Sequence, residues 1–173
     1  MRVLGIDPGL TRCGAAVVER GAGGSVRSLF IGVITTPAED ALEHRLLALD
    51  AGINELLDSF DPNVVAIERV FSQHNVRSAM GTAQAGAVAM IAAARRGIAV
   101  ASHTPTEVKA AVTGSGRSQK AQVTAMVTRI LALPAPPSPA DAADAAAIAV
   151  CHAWRGTAQN RLAAAVAAHR GST

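Results

Sequence analysis

The chain has 173 residues, 50% of them hydrophobic by type, 17% charged and 2% aromatic, with 38 alanines and a net charge of +3. That is room for one domain whose core is filled by small side chains and close backbone approach. The longest uncharged stretch, Ser78 to Ala94, is 17 residues long, interrupted by polar residues and glycine; it falls short of the roughly 20 apolar residues of a membrane span.

The first 35 residues read as three strands, Arg2 to Asp7, Cys13 to Glu19 and Val26 to Thr35, separated by a Pro8-Gly9 turn and a Gly21-Ala22-Gly23-Gly24 turn. Short turns make them antiparallel neighbours. Aliphatic residues at 42, 46, 47, 49, 53, 56 and 57 then recur at helical spacing, predicting a helix over Glu39 to Phe60. Val64 to Glu68 reads as a strand, Asn75 to Arg96 as a long helix and Ile98 to Ser102 as a fifth strand. Two helical segments follow, split by Gly114-Ser115-Gly116, and a last helix begins after the Pro134 to Pro139 cluster. Strands separated by helices are parallel crossovers, so an α/β fold with a mixed sheet covered by helices is expected. Gly81, Ala85, Ala89 and Ala93 form a smooth ridge at four-residue spacing, fit for the sheet or for a second subunit. Thr36-Pro37-Ala38-Glu39, Thr104-Pro105-Thr106-Glu107 and Ser138-Pro139-Ala140-Asp141 share a capping-box pattern at predicted helix starts.

Charge is unevenly distributed. Residues 1 to 61 carry five basic and nine acidic side chains, and residues 62 to 173 carry eleven basic and four acidic ones, net +7. A cationic later half suits a polyanion, because Lys and Arg that neutralise phosphates release counterions. Cys13 and Cys151 stand alone, with no zinc spacing to any His. The N-terminus reaches Asp7 without an apolar signal region, so reduced thiols and a cytoplasmic location are expected.

Four carboxylates stand out. Asp7 and Glu68 end predicted strands, and Asp141 and Asp144 lie one turn apart on the last helix. Their gathering would be repulsive unless a divalent cation relieved it, and an all-oxygen set favours Mg²⁺ or Mn²⁺ over Zn²⁺. Two such ions about 4 Å apart would serve an in-line phosphoryl displacement. Each acid also has a plain structural reading. Asp7-Pro8-Gly9 fits a turn, Asp141 fits a helix cap, and Glu68 fits a solvent-facing strand end. Asp144 lies in the small, apolar run Ala142 to Ala149, where an unpaired carboxylate is costly.

Three segments in order, Gly5-Ile6-Asp7-Pro8-Gly9 with Thr11 and Gly14, Ala66-Ile67-Glu68-Arg69-Val70-Phe71, and Asp141-Ala142-Ala143-Asp144-Ala145 with Ala147-Ile148-Ala149, resemble the acidic motifs of the RuvC Holliday junction resolvases. The resemblance runs from about residue 2 to about residue 153. It implies an RNase H-like fold, a five-stranded mixed sheet of three antiparallel and two parallel strands flanked by helices. It further implies that Asp7, Glu68, Asp141 and Asp144 are catalytic metal ligands, two Mg²⁺ per site with Mn²⁺ able to substitute, in a homodimeric endonuclease. Such an enzyme nicks four-way junction DNA symmetrically in recombination and repair, leaving 5′-phosphate and 3′-hydroxyl ends. By the same resemblance Lys109 and Lys120 lie near the scissile phosphate, Phe71 stacks on a base, and Arg77 and Arg117 touch the DNA backbone. Core packing for Phe71 and a solvated surface for the cations are the competing readings. The family's RuvA–RuvB branch-migration complex is a further implied partner. A nuclease domain over 1–155 is expected, followed by a C-terminal tail over 156–173 that is either a frayed alanine-rich helix or disordered.

Two other functions share features of the sequence. Asp7-Pro8-Gly9 also resembles the phosphate motif of the actin, Hsp70 and sugar-kinase ATPases, which enclose nucleotide between two cores. One chain of this length holds one core, and it has no P-loop. A non-catalytic module that binds DNA structure would need none of the four acids, so dependence on metal separates it from a nuclease.

Overall fold

The computed structural model describes residues 1–69 and 76–170, with side-chain surroundings described over 1–69 and 79–156. In chain order the elements are β1 (Arg2–Asp7), β2 (Arg12–Arg20), β3 (Val26–Thr35), α1 (Leu42–Phe60), β4 (Val64–Glu68), α2 (Val76–Arg95), β5 (Ala99–His103), α3 (Pro105–Thr113), α4 (Lys120–Ile130) and α5 (Ala140–Arg170). The strands form one five-stranded sheet in the order β3-β2-β1-β4-β5. β1, β2 and β3 are antiparallel neighbours, and β4 and β5 run parallel to β1. The predicted mixed sheet is therefore the observed one.

Two apolar layers sandwich this sheet, because successive strand residues point to opposite faces. Leu4, Ile6, Ala15, Val17, Val65 and Ile67 face α1 and α2. Val3, Ala16, Val18, Val64 and Ala66 face α3, α4 and α5. The ridge of α2 meets the sheet rather than a second subunit: Ala85, Ala89 and Ala93 are fully buried in the first layer. The second layer is filled largely by alanines of α5, with Ala145, Ala146, Ala147, Ala149 and Ala153 completely buried. Among the described residues no helix is long and apolar enough to cross a membrane.

The three capping-box patterns behave differently. Thr104 forms the complete box, its Oγ1 accepting from the Glu107 backbone N–H at 3.2 Å while Glu107 Oε2 accepts from the Thr104 N–H at 2.7 Å. At Thr36 the expectation fails, and α1 starts at Leu42 behind an Ala41 cap. The Thr36 hydroxyl donates to the Leu10 carbonyl and accepts from Arg45 Nε at 2.9 Å, which ties the end of β3 to the β1–β2 turn. The third pattern opens α5, but the Asp141 carboxylate turns to Arg12 instead of back to the helix start. α5 continues to Arg170, so the expected tail after residue 155 lies mostly beyond the described side chains.

Candidate active site

β1 and β4 are parallel neighbours with Ile6 opposite Ile67, so the next residues, Asp7 and Glu68, emerge side by side at the carboxyl end of the sheet. In open α/β sheets this end is where side chains converge on ligands. α5 crosses the same end, and two glycines let its backbone lie directly on the strands. A Cβ on Gly5 would stand 2.3 Å from the Ala145 carbonyl oxygen, and one on Gly14 would stand 2.0 Å from the Asp141 carbonyl oxygen. Any side chain at either position would hold the helix off.

This docking brings Asp144 over Asp7 and Glu68. The three carboxylates line one cleft of about 200 Å³ together with Lys109 from α3 and Lys120 from α4, and Pro105, Val108, Val123 and Ala147 supply apolar walls. Lys120 Nζ donates to Asp144 Oδ2 at 2.8 Å. Asp141 is not among the cleft's lining residues. Its Oδ2 accepts from Arg12 Nε at 2.9 Å, beside the cleft at the start of β2. Five of the nine predicted site residues, Asp7, Glu68, Asp144, Lys109 and Lys120, thus share one cleft. Arg117 is exposed in the loop joining α3 to α4, outside the cleft's lining. Phe71 and the side chain of Arg77 lie outside the described residues.

The electrostatics are those of a site with excess negative charge. Burial, then the charges of Glu68, Asp144 and Asp141, push the Asp7 carboxyl up to about 7, against the opposing pull of Lys120. Burial and Asp144 likewise push Glu68 above the usual carboxylate range, while Lys120 and Lys109 pull it back. The hydrogen bond to Asp144 holds the Lys120 ammonium above its ordinary value. Oxygen donors whose mutual repulsion is this poorly offset suit a hard divalent cation, so the donor set fits Mg²⁺ or Mn²⁺. As the side chains stand, no group of three His, Cys, Asp or Glu is gathered to ligand a metal among the described residues; the two aspartates of α5 are on cations instead.

Two features escaped the sequence reading. Arg12 sits inside the first motif, between Gly5 and Gly14, and nothing local in the sequence ties it to Asp141 in the other half of the chain. The second is a buried imidazole pair behind the cleft. His103, opposite Glu68 in the β4–β5 ladder, places Nε2 at 2.9 Å from His152 Nδ1. Burial pushes both imidazoles down, His152 to about 4, so the pair is neutral at pH 7 and braces β5 against α5.

Comparison with known proteins agrees with this geometry. The family model of the crossover junction endodeoxyribonuclease RuvC matches residues 3–152. A RuvC of Streptomyces avermitilis is 66% identical over 169 residues, covering 98% of this chain and 96% of that protein. One from Rhodococcus jostii is 62% identical over 168 residues, covering 97% and 89% respectively. Among solved structures, Thermus thermophilus RuvC in complex with a Holliday junction substrate superposes with a TM-score of 0.84 at 36% identity, covering 90% of this chain and 94% of that one. The yeast mitochondrial Holliday junction resolvase Ydc2, at 16% identity and a TM-score of 0.63, shares the fold.

Proposed function

The chain belongs to the RuvC family of crossover junction endodeoxyribonucleases, and we propose that it resolves four-way DNA junctions by metal-dependent hydrolysis in the cleft between β1, β4 and α5. One observation carries the reading: three carboxylates from distant parts of the chain, Asp7, Glu68 and Asp144, meet two lysines in a single cleft. A structural role for these acids would not require burying them together, where each raises the cost of ionising the others.

Asp7, Glu68 and Asp144, joined by Asp141, are the residues that would hold two Mg²⁺, with Mn²⁺ able to substitute. When bound, such ions activate a water and stabilise the entering and leaving oxygens of a phosphodiester. The protein's own groups do the rest. Lys109 and Lys120 offer compact ammonium charges to the scissile phosphate, where a guanidinium would be too bulky. Val108 and Val123 give the cleft an apolar wall beside these charges, and a lower local dielectric there strengthens the interactions on that side. Exposed Arg117, with Arg77 and Phe71 as the resemblance places them, extends contact along the DNA beyond the cleft. The expected products are nicks with 5′-phosphate and 3′-hydroxyl ends.

Two symmetric nicks need two clefts, and α2 supports a second copy. Its face away from the sheet exposes Met80, Met90 and Ile91, at 58%, 42% and 50%, in line with exposed Ala83, Ala87 and Ala94. An apolar stripe of this kind on a soluble helix marks an interaction surface.

The test is to incubate the purified protein with a synthetic four-way junction and a matched linear duplex, in Mg²⁺ or EDTA, and map the nicks. Paired nicks on the junction alone, lost in EDTA and in Asp144→Asn with junction binding retained, are expected. Cleavage that survives chelation or that substitution would refute the metal mechanism.

A further inference from the structure

We infer that Arg12 is an exchangeable counter-ion: it holds Asp141 beside the cleft until a divalent cation takes that carboxylate, and the released guanidinium then binds the DNA backbone. The inference rests on the metal-dependent reading above and adds a residue that the acidic motifs do not name.

Four observations carry it. Asp141 lies over Gly14, the partner of Asp7 in the β1–β2 ladder, and one turn before Asp144 on α5, yet it does not line the cleft. What holds it aside is a side-chain contact, Arg12 Nε to Asp141 Oδ2 at 2.9 Å. The backbones beneath both residues are fixed. A Cβ on Gly14 would meet the Asp141 carbonyl at 2.0 Å, and one on Gly9 would meet the Arg12 carbonyl at 2.3 Å, so exchange involves rotation of side chains and not movement of α5 or β2. Finally, the Arg12 side chain is 59% exposed against 27% for Asp141. The pair uses Nε, and among the described residues the outer amino groups of Arg12 make no hydrogen bond.

Those properties suit a switch between two anions. An exposed ion pair is weak enough for a divalent cation to displace. A guanidinium is planar, permanently charged and able to grip a phosphate with two parallel hydrogen bonds. The Lys120–Asp144 pair one turn along α5 has the same form, a cation from another element on an α5 carboxylate. In Arg12, however, the cation lies outside the cleft's lining and is largely exposed, so its guanidinium is open to a phosphate of DNA held across the cleft. Metal binding and DNA binding are then coupled through one side chain, because the first frees the group that the second uses.

The full-length protein, Arg12→Gln and Arg12→Lys test this in two measurements. Mn²⁺ uptake without DNA, followed by the loss of the free-ion electron paramagnetic resonance signal, should be about two- to fivefold tighter in Arg12→Gln, the factor an ion pair of this exposure is worth, and intermediate in Arg12→Lys. Binding to an intact four-way junction is then measured against KCl on ice, in EDTA or in Ca²⁺, with strand integrity checked on a denaturing gel. With Ca²⁺ the slope of log K against log salt should be shallower in Arg12→Gln by about 0.9, one phosphate contact, and in EDTA the slopes should match. Mn²⁺ affinity that is unchanged or weaker in Arg12→Gln, or equal slopes in Ca²⁺, overturns the role given to Arg12. Absence of Mn²⁺ uptake by every protein, the unsubstituted one included, instead defeats the metal reading of the cleft and this inference with it.

Discussion

Gly14→Ala puts the docking of α5 to a direct test. The added Cβ would stand 2.0 Å from the Asp141 carbonyl oxygen and 2.7 Å from its carbonyl carbon. Both are backbone atoms, so no side-chain rotation relieves the overlap. Carbon and oxygen meet at roughly 3.3 Å, so α5 must lift by about 1 Å at its N-terminal end. Overpacking of this kind costs about 1–3 kcal/mol. It is opposed by less than 1 kcal/mol from the smaller entropy of the unfolded alanine chain. A net loss of about 1–2 kcal/mol corresponds to a fall in Tm of about 2–8 °C for a domain of this size. The effect on cleavage should be larger than the effect on stability. The lifted turn carries Asp141 and Asp144, and a misplacement of about 1 Å costs on the order of 10²-fold in rate.

The assay is a thermal melt in EDTA beside single-turnover cleavage of a four-way junction, run at least 20 °C below the mutant's own Tm so that unfolding does not contribute. Gly86→Ala is the matched control. It lies inside α2, and its nearest neighbours would be Pro8 side-chain carbons at 3.8 Å, an ordinary contact. Helix propensity should make that change stabilising by about 0.5–1 kcal/mol. A Gly14→Ala protein that melts and cleaves like the unsubstituted one would refute the claim that backbone contact at Gly14 sets the site.

Asp7 makes the metal-free protein less stable as pH rises. Its carboxyl is pushed up to about 7 from an ordinary 3.8, so its contribution is complete below about pH 4 and is lost as pH rises through about 7. Asp7→Asn in EDTA at pH 8 should therefore be more stable than the unsubstituted protein, on the order of 2–4 kcal/mol, while cleaving nothing in Mg²⁺; a melting temperature at or below that of the parent contradicts the electrostatic account. Ile91→Asp, which puts a charge in the exposed stripe of α2, should convert a dimer into a monomer at micromolar concentration by sedimentation. A parent protein that sediments as a monomer with and without junction DNA would remove the dimer from the proposal.

Local patterns made the strands legible and misplaced one helix. Alternation and turn chemistry set β1, β3 and β4 at their observed ends. The failure at Thr36 is informative because Thr36-Pro37-Ala38-Glu39 and Thr104-Pro105-Thr106-Glu107 are equivalent as strings. What separates them is a competing use of the hydroxyl. Thr104 has no rival for its cap, whereas Thr36 is taken by Leu10 and Arg45. Nor could spacing decide what the Gly81 to Ala93 ridge packs on, since sheet and subunit both accept small residues; only the assembled layer does.

The site was legible where charge is scarce. The later half of the chain has four acids, and three of them, Glu68, Asp141 and Asp144, belong to the motifs. Glu107, the fourth, is occupied by its capping box, and its carboxyl is held down by the Thr104 hydrogen bonds. Arg12 was not legible, because its choice of Asp141 over other acids depends on a register across 129 positions of sequence.

Alanine richness and site geometry are linked by reach. An aspartate carboxylate extends only two carbons from the backbone, so Asp144 can meet Asp7 only if α5 lies nearly in contact with the sheet. Gly5 against Ala145 and Ala149, and Gly14 against Asp141, provide that contact, and the buried alanines around them keep it along the helix. Leucine or phenylalanine at those positions would form a more apolar layer with more buried area, but would set the helix axis farther out, toward the ordinary 8–10 Å or so of packed elements. Both aspartates would then be lifted off β1, leaving Asp7 and Glu68 without their partner. The small-residue layer on this face is therefore the structural condition for bringing carboxylates from three segments of the chain into one cleft.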